Sequence, residues 1–173
     1  MFGTIDVFKF LISFFLIFPI ATIIHLSGHI FFVTLFGGSE KKMIIGCGNK
    51  LFAFWKIEIR KFYFWNGACE FKMLKYDNRF TNMLIYIGGA LFNLISMIVV
   101  NRLTQIGIFK ESVFTSQFIY FSFYVLFFSL FPMSFQNGSP SDGKAAVLAF
   151  KKQHDDKITD DIQIKIKDGE ASD

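Results

Sequence analysis

Residues 23–32 read "IIHLSGHIFF", which sets His25 and His29 four positions apart in a run without formal charge from Phe10 to Ser39. At about 3.6 residues per helical turn, positions i and i+4 share a face, so both imidazoles project to one side. The run exceeds the roughly 20 apolar residues that a membrane-crossing helix needs. Ionisable side chains inside such a segment are costly and mark a functional site by default. An i, i+4 histidine pair suits chelation of one zinc ion. The competing reading is two neutral histidines hydrogen-bonded to neighbouring helices.

Outward from this stretch, two further runs carry no charge: Phe80–Asn101, between Arg79 and Arg102, and Ser112–Ser141, between Glu111 and Asp142. With 53% hydrophobic residues and 26 phenylalanines in 173 positions, the composition excludes an ordinary soluble domain. The first run is about twice as long as a signal-peptide core and lacks an A-x-A-like cleavage site, so it reads as a retained span. The expected fold is a mainly α membrane protein with three transmembrane helices. The first helix should run from near Val7 to Gly37-Gly38, with Pro19 as its bending point.

Lysine and arginine give the expected orientation. Residues 37–79 carry nine and the chain from Gly143 another six, whereas Lys9, Arg102 and Lys110 are the rest. The positive-inside rule then places the 37–79 loop and the C-terminus in the cytoplasm and the N-terminus outside. Basic residues that flank spans, with no nucleic-acid motif beside them, exclude a nucleic-acid surface. The bilayer is the expected partner. The division along the chain is a membrane-embedded domain over 1–152 and a charged cytoplasmic tail over 153–173.

The loop 43–75 reads as strands, a small β-hairpin or sheet after the first helix. "FAFWKIEIRKFYFW" partly alternates, and Asn66-Gly67 signals the hairpin turn. The expectation is an amphipathic sheet lying at the membrane surface; a sheet edge that receives an extended peptide is the alternative. Cys47 and Cys69 lack a C-x-x-C spacing and read as free thiols.

A catalytic zinc takes three protein ligands and leaves one position open. The spans contain no carboxylate, and Asp142 follows the third span in a Ser-Pro-Ser-Asp-Gly turn that can fold back towards the histidines. The other reading of Asp142 is as N-cap of a short helix over Lys144–Lys151.

Together, "HLSGH", "GGALFN" and "FPMSFQNGSPSDG" resemble the three signatures of the site-2 protease family of intramembrane zinc metalloproteases. That family carries H-E-x-G-H on its first core helix, G-P-x-x-N on the next, and an Asn/Pro-rich segment ending in Asp-Gly on the third. The resemblance covers roughly residues 10–150 and makes the 1–152 domain peptidase-like. It implies His25, His29 and Asp142 as zinc ligands and Asn93 as a polar group near a substrate cleft. Three departures accompany it. Leu26 occupies the position of the general-base glutamate, Ala90 that of the proline, and Ser129 that of an asparagine in the third motif.

General acid–base assistance is typically worth about 10²–10⁴ in rate, so a site without its carboxylate makes a poor enzyme. Ser27 has too high a pKa to substitute, and Asp6 and Glu40 lie too far along the helix; Glu58 or Glu70 folding back from the loop stays open. The expectation is therefore a catalytically inactive relative that binds a single-span membrane protein or a peptide in a regulatory role. The alternatives are an active, atypical intramembrane zinc metallopeptidase and a small membrane transporter or ion- and metal-handling protein.

Overall fold

The computed structural model describes residues 3–135 and 138–151. The elements run α1 (Thr4–Leu35), β1 (Ser39–Phe54), β2 (Ile57–Lys72), α2 (Arg79–Gln105) and α3 (Val113–Leu130), and a short helical segment follows over 142–151. All three long helices are long and apolar enough to cross a membrane. The charged tail over 153–173 lies outside the described residues.

Each helix starts where the sequence supplies a cap. The Asp6 carboxylate accepts from the Gly3 amide at 3.1 Å. Asn78 Oδ1 accepts from the Phe80 and Thr81 amides, both at 3.0 Å, while Thr81 Oγ1 accepts from the Asn78 amide. Ser112 Oγ accepts from the Thr115 amide. These bonds satisfy donors that a helix N-terminus would otherwise leave open. The 32 residues of α1 continue through Pro19 without a break, and at about 1.5 Å per residue they exceed a hydrocarbon core of about 30 Å.

The helices meet where side chains are small. Gly28 of α1 faces Gly88 and Gly89 of α2, so closely that a Cβ at Gly28 would lie 3.0 Å from the Gly89 Cα. Small residues at such a crossing let helix backbones approach and van der Waals packing accumulate. Nearer the start of α1, Ile17 and Ala21 pack on Phe121 of α3, and the Phe18 and Phe121 rings stand edge to face at 5.4 Å.

The sheet departs from expectation in where its chain reverses. β1 and β2 form a two-stranded antiparallel sheet whose chain reversal falls at Trp55-Lys56, between paired Phe54 and Ile57, and not at Asn66-Gly67. Asn66 does adopt the left-handed conformation (φ 66°), but it serves an irregularity inside β2, where pairing jumps from Cys47↔Phe62 to Ile45↔Gly67. An Asn-Gly pair signals positive φ, which a bulge uses as readily as a hairpin turn. The strands also curl, so that Met43–Ile45 is partnered by Gly67–Cys69 and again by Ile57–Ile59.

The sheet packs on the helix bundle. It folds back along α1, with the Phe64 ring 4.9 Å from that of Phe15 and 5.9 Å from that of Phe14. Phe14 also meets Phe121, in the middle of α3. α1 is thus sandwiched, with α2 and α3 on one side and the sheet on the other. Inside the sheet, buried Glu58 is held by Lys42 at 2.6 Å and Arg60 at 2.8 Å.

Candidate metal centre

His25 and His29 share the face of α1 that the close crossing turns towards α2. Their Nε2 atoms stand 3.0 Å apart. Asp142 Oδ2 completes a triangle, 3.0 Å from His25 Nε2 and 3.4 Å from His29 Nε2. Tetrahedral zinc ligands at about 2.0–2.1 Å from the ion stand about 3.3 Å from one another, so the triangle has nearly the size of one tetrahedral face. His29 Nδ1 donates to the Ile85 carbonyl at 2.7 Å. In the neutral ring that bond leaves the Nε2 lone pair facing the triangle, as a metal ligand requires. The donor set of two imidazoles and a carboxylate, each offering one atom, can hold a metal ion.

Gly89 makes the room. A Cβ there would fall 2.5 Å from both His25 Cε1 and His29 Nε2. The Gly88-Gly89 pair shows in the sequence as a helix contact; its second role as the floor beneath two imidazoles needs the fold to be seen.

Three consecutive residues bring Asp142 in, and they divide the work. Ser141, not Asp142, caps the 142–151 helix: its carbonyl accepts from the Ala145 amide and its hydroxyl from the Lys144 amide. The same hydroxyl donates to the Phe131 carbonyl at 2.6 Å, tying the helix start to the end of α3. Gly143 lies against the Leu130 backbone with no space for a Cβ. Asp142 is therefore free of capping and turned to the histidines. Burial alone would raise its carboxyl, but the His25 and His29 side chains beside it outweigh that and hold it at about 2.

None of the candidate proton acceptors joins the triangle. Leu26 is buried at 3% exposure and packs under β2, its Cδ1 2.7 Å from where a Cβ on Gly67 would stand. The Ser27 hydroxyl donates to the Ile23 carbonyl within its own helix. Lys42 and Arg60 hold the Glu58 carboxyl down at about 2, committed to the sheet. Glu70 is exposed on β2, opposite Lys42. Both cysteines are free; burial pushes the Cys69 thiol up to about 12, and it donates to the Leu26 carbonyl.

The chain is 44% identical over 145 residues to the uncharacterized membrane protein YwmF of Bacillus subtilis (strain 168), an alignment covering 84% of this chain and 91% of the relative. The chain belongs to the YwmF family. No protein-family model matches it, and no solved structure does.

In this YwmF-family chain Asn93 lies one helical turn beyond Gly89 on α2, fully buried, and neither end of its amide has a hydrogen-bond partner among the described residues. Ser13 of α1 and Ser122 of α3 are likewise fully buried with unpartnered hydroxyls. Unpaired polar groups away from water cost about 1–3 kcal/mol each, so their retention calls for a role.

Proposed function

We propose that this membrane protein is a site-2-protease-like metallopeptidase homologue that holds zinc at His25, His29 and Asp142 and binds a partner without cutting it. The observation that carries the reading is the triangle of ligand atoms at 3.0–3.4 Å, assembled from two ends of the chain. Its order along the sequence supports the resemblance: a histidine pair, then a glycine-rich helix contact, then an Asp-Gly turn. When bound, zinc supplies Lewis acidity and a water of lowered pKa. This chain's own residues supply the ligands and the orienting Ile85 carbonyl, while Leu26 puts no proton acceptor at the base position. The partner in this reading is a transmembrane helix or peptide, bound in a regulatory role.

The experiment is co-expression of the full chain with single-span membrane proteins, in wild-type and His25→Ala forms, scoring both association and cleavage. The reading expects association without cleavage. Chelator-sensitive cleavage by wild type that His25→Ala abolishes would establish an active peptidase instead. Asn93, Ser13 and Ser122 favour a second reading, ion or metal handling, because unpartnered polar groups inside spans suit a hydrated path. Metal or ion uptake by reconstituted vesicles that Asn93→Ala abolishes would select it.

The orientation proposed places the 37–79 loop and the C-terminus in the cytoplasm, from the fifteen-to-three excess of Lys and Arg. Reporter fusions at Asp173 and near Thr104 should give opposite signals. Equal signals would remove the three-span arrangement.

A further inference from the structure

We infer that the Trp55-Lys56 turn is an interfacial anchor that binds the anionic phospholipid headgroups of the protein's own bilayer. The turn's height along the bundle follows from a chain of contacts. The Met43 amide donates to the Lys56 carbonyl at 2.7 Å. On its other edge Met43 pairs with Cys69, whose thiol donates to the Leu26 carbonyl. On the far side of α1, Asp142 meets His25, the neighbour of Leu26, and Gly143 rests on the backbone of Leu130, the last residue of α3. The turn is thus level with the end of α3. That helix has 18 residues, or about 27 Å, close to the thickness of a hydrocarbon core. The turn therefore stands where hydrocarbon gives way to headgroups.

Its chemistry suits that boundary. Trp55 is 88% exposed, held outward by a left-handed backbone (φ 51°), and Phe54 beside it is 68% exposed. The Lys56 ammonium sits 5.0 Å from the Trp55 ring centroid. An indole with a cation over it presents an apolar body to the acyl boundary and a charge to phosphate. Lys41 and Lys75, on the same loop, have no ion-pair partner among the described residues, as is true of Lys56. Basic side chains near a negative membrane surface are attracted to it, which gives the site its preference for anionic lipid.

The test uses the full chain with Trp65→Phe, which leaves Trp55 as the single tryptophan. It is reconstituted in phosphatidylcholine vesicles and in the same vesicles containing phosphatidylglycerol. Trp55 emission, acrylamide quenching and quenching by lipids brominated at different depths are then recorded. Adding phosphatidylglycerol is expected to shift the emission to the blue and to cut acrylamide quenching several-fold, with shallow labels quenching best. Lys56→Glu should sharply reduce the response to lipid charge, and high salt should weaken it. Water-like emission with full acrylamide access in both vesicles would overturn the inference and leave a polypeptide partner as the occupant. Deep quenching that ignores lipid composition would overturn it as well, since headgroup recognition would then be absent.

Discussion

His25 and Leu26 are adjacent in the chain and opposite in surroundings. The histidine face of α1 looks into a polar niche floored by Gly89, where His25 and His29 meet Asp142 and His29 is oriented by the Ile85 carbonyl. The leucine face is apolar and sealed by β2, with Gly67 directly over the side chain. One step of about 100° around a helix separates a site built to hold charge from a surface built to exclude it. The comparison teaches that one helix can turn potential metal-ligating groups to one face while the neighbouring residue is given over to packing.

Placing a carboxylate on the leucine face is the largest perturbation. Leu26→Glu supplies a proton acceptor worth about 10²–10⁴ in rate, or about 3–5 kcal/mol. The expected outcome is partial gain of chelator-sensitive cleavage of a co-expressed membrane substrate, at some loss of protein yield, because the new side chain lies under Gly67. Cleavage already robust in wild type would erase the distinction between the two faces.

A second change attacks the histidine face alone. Gly89→Ala drives a methyl group into both imidazoles, and overpacking of this kind typically costs about 1–3 kcal/mol. Thermal unfolding should show a lower midpoint, and bound metal should fall with it. An unchanged midpoint and metal content would mean that the crossing relaxes freely and that Gly89 is no floor.

The smallest effect is on the sheet that seals the leucine face. Lys42 and Arg60 hold the folded-state Glu58 carboxyl near 2, below its ordinary value of 4.5. A depressed carboxylate contributes stability that is present above about 4.5 and lost as the pH falls towards 2. The wild-type midpoint should therefore drop through that window more than that of Glu58→Gln, while the variant starts lower at neutral pH. Parallel curves would remove Glu58 as the tie that closes the sheet.

What could be read from the sequence was what local spacing encodes. Charge-free runs gave the three long helices, and the i, i+4 rule gave the shared face of His25 and His29. Asp142 was legible as a candidate because the spans hold no carboxylate; its release from capping was not, since Ser141 and Asp142 are equally good caps by residue type. The sheet was half legible. Alternation showed strands, but Asn66-Gly67 encodes a left-handed backbone without saying whether the chain turns back or only bulges. Trp55-Lys56, which does turn back, carries no glycine or asparagine to announce it. The fold of β2 along α1 to Phe14 depends on aromatic packing between distant segments, which no local pattern reports. The Ile85 carbonyl was invisible for the same reason, because any residue type has one.

The central claim, that His25, His29 and Asp142 hold one metal ion while Leu26 leaves it without a base, is tested most directly by metal analysis. Wild type, His25→Ala and Asp142→Ala are purified under mild conditions without chelators, and zinc is counted per chain. The account predicts about one zinc in wild type and background levels in both variants, with all three proteins folded. Equal zinc in all three, or none in wild type even after incubation with zinc, would contradict it and leave the triangle as a hydrogen-bonded brace between helices.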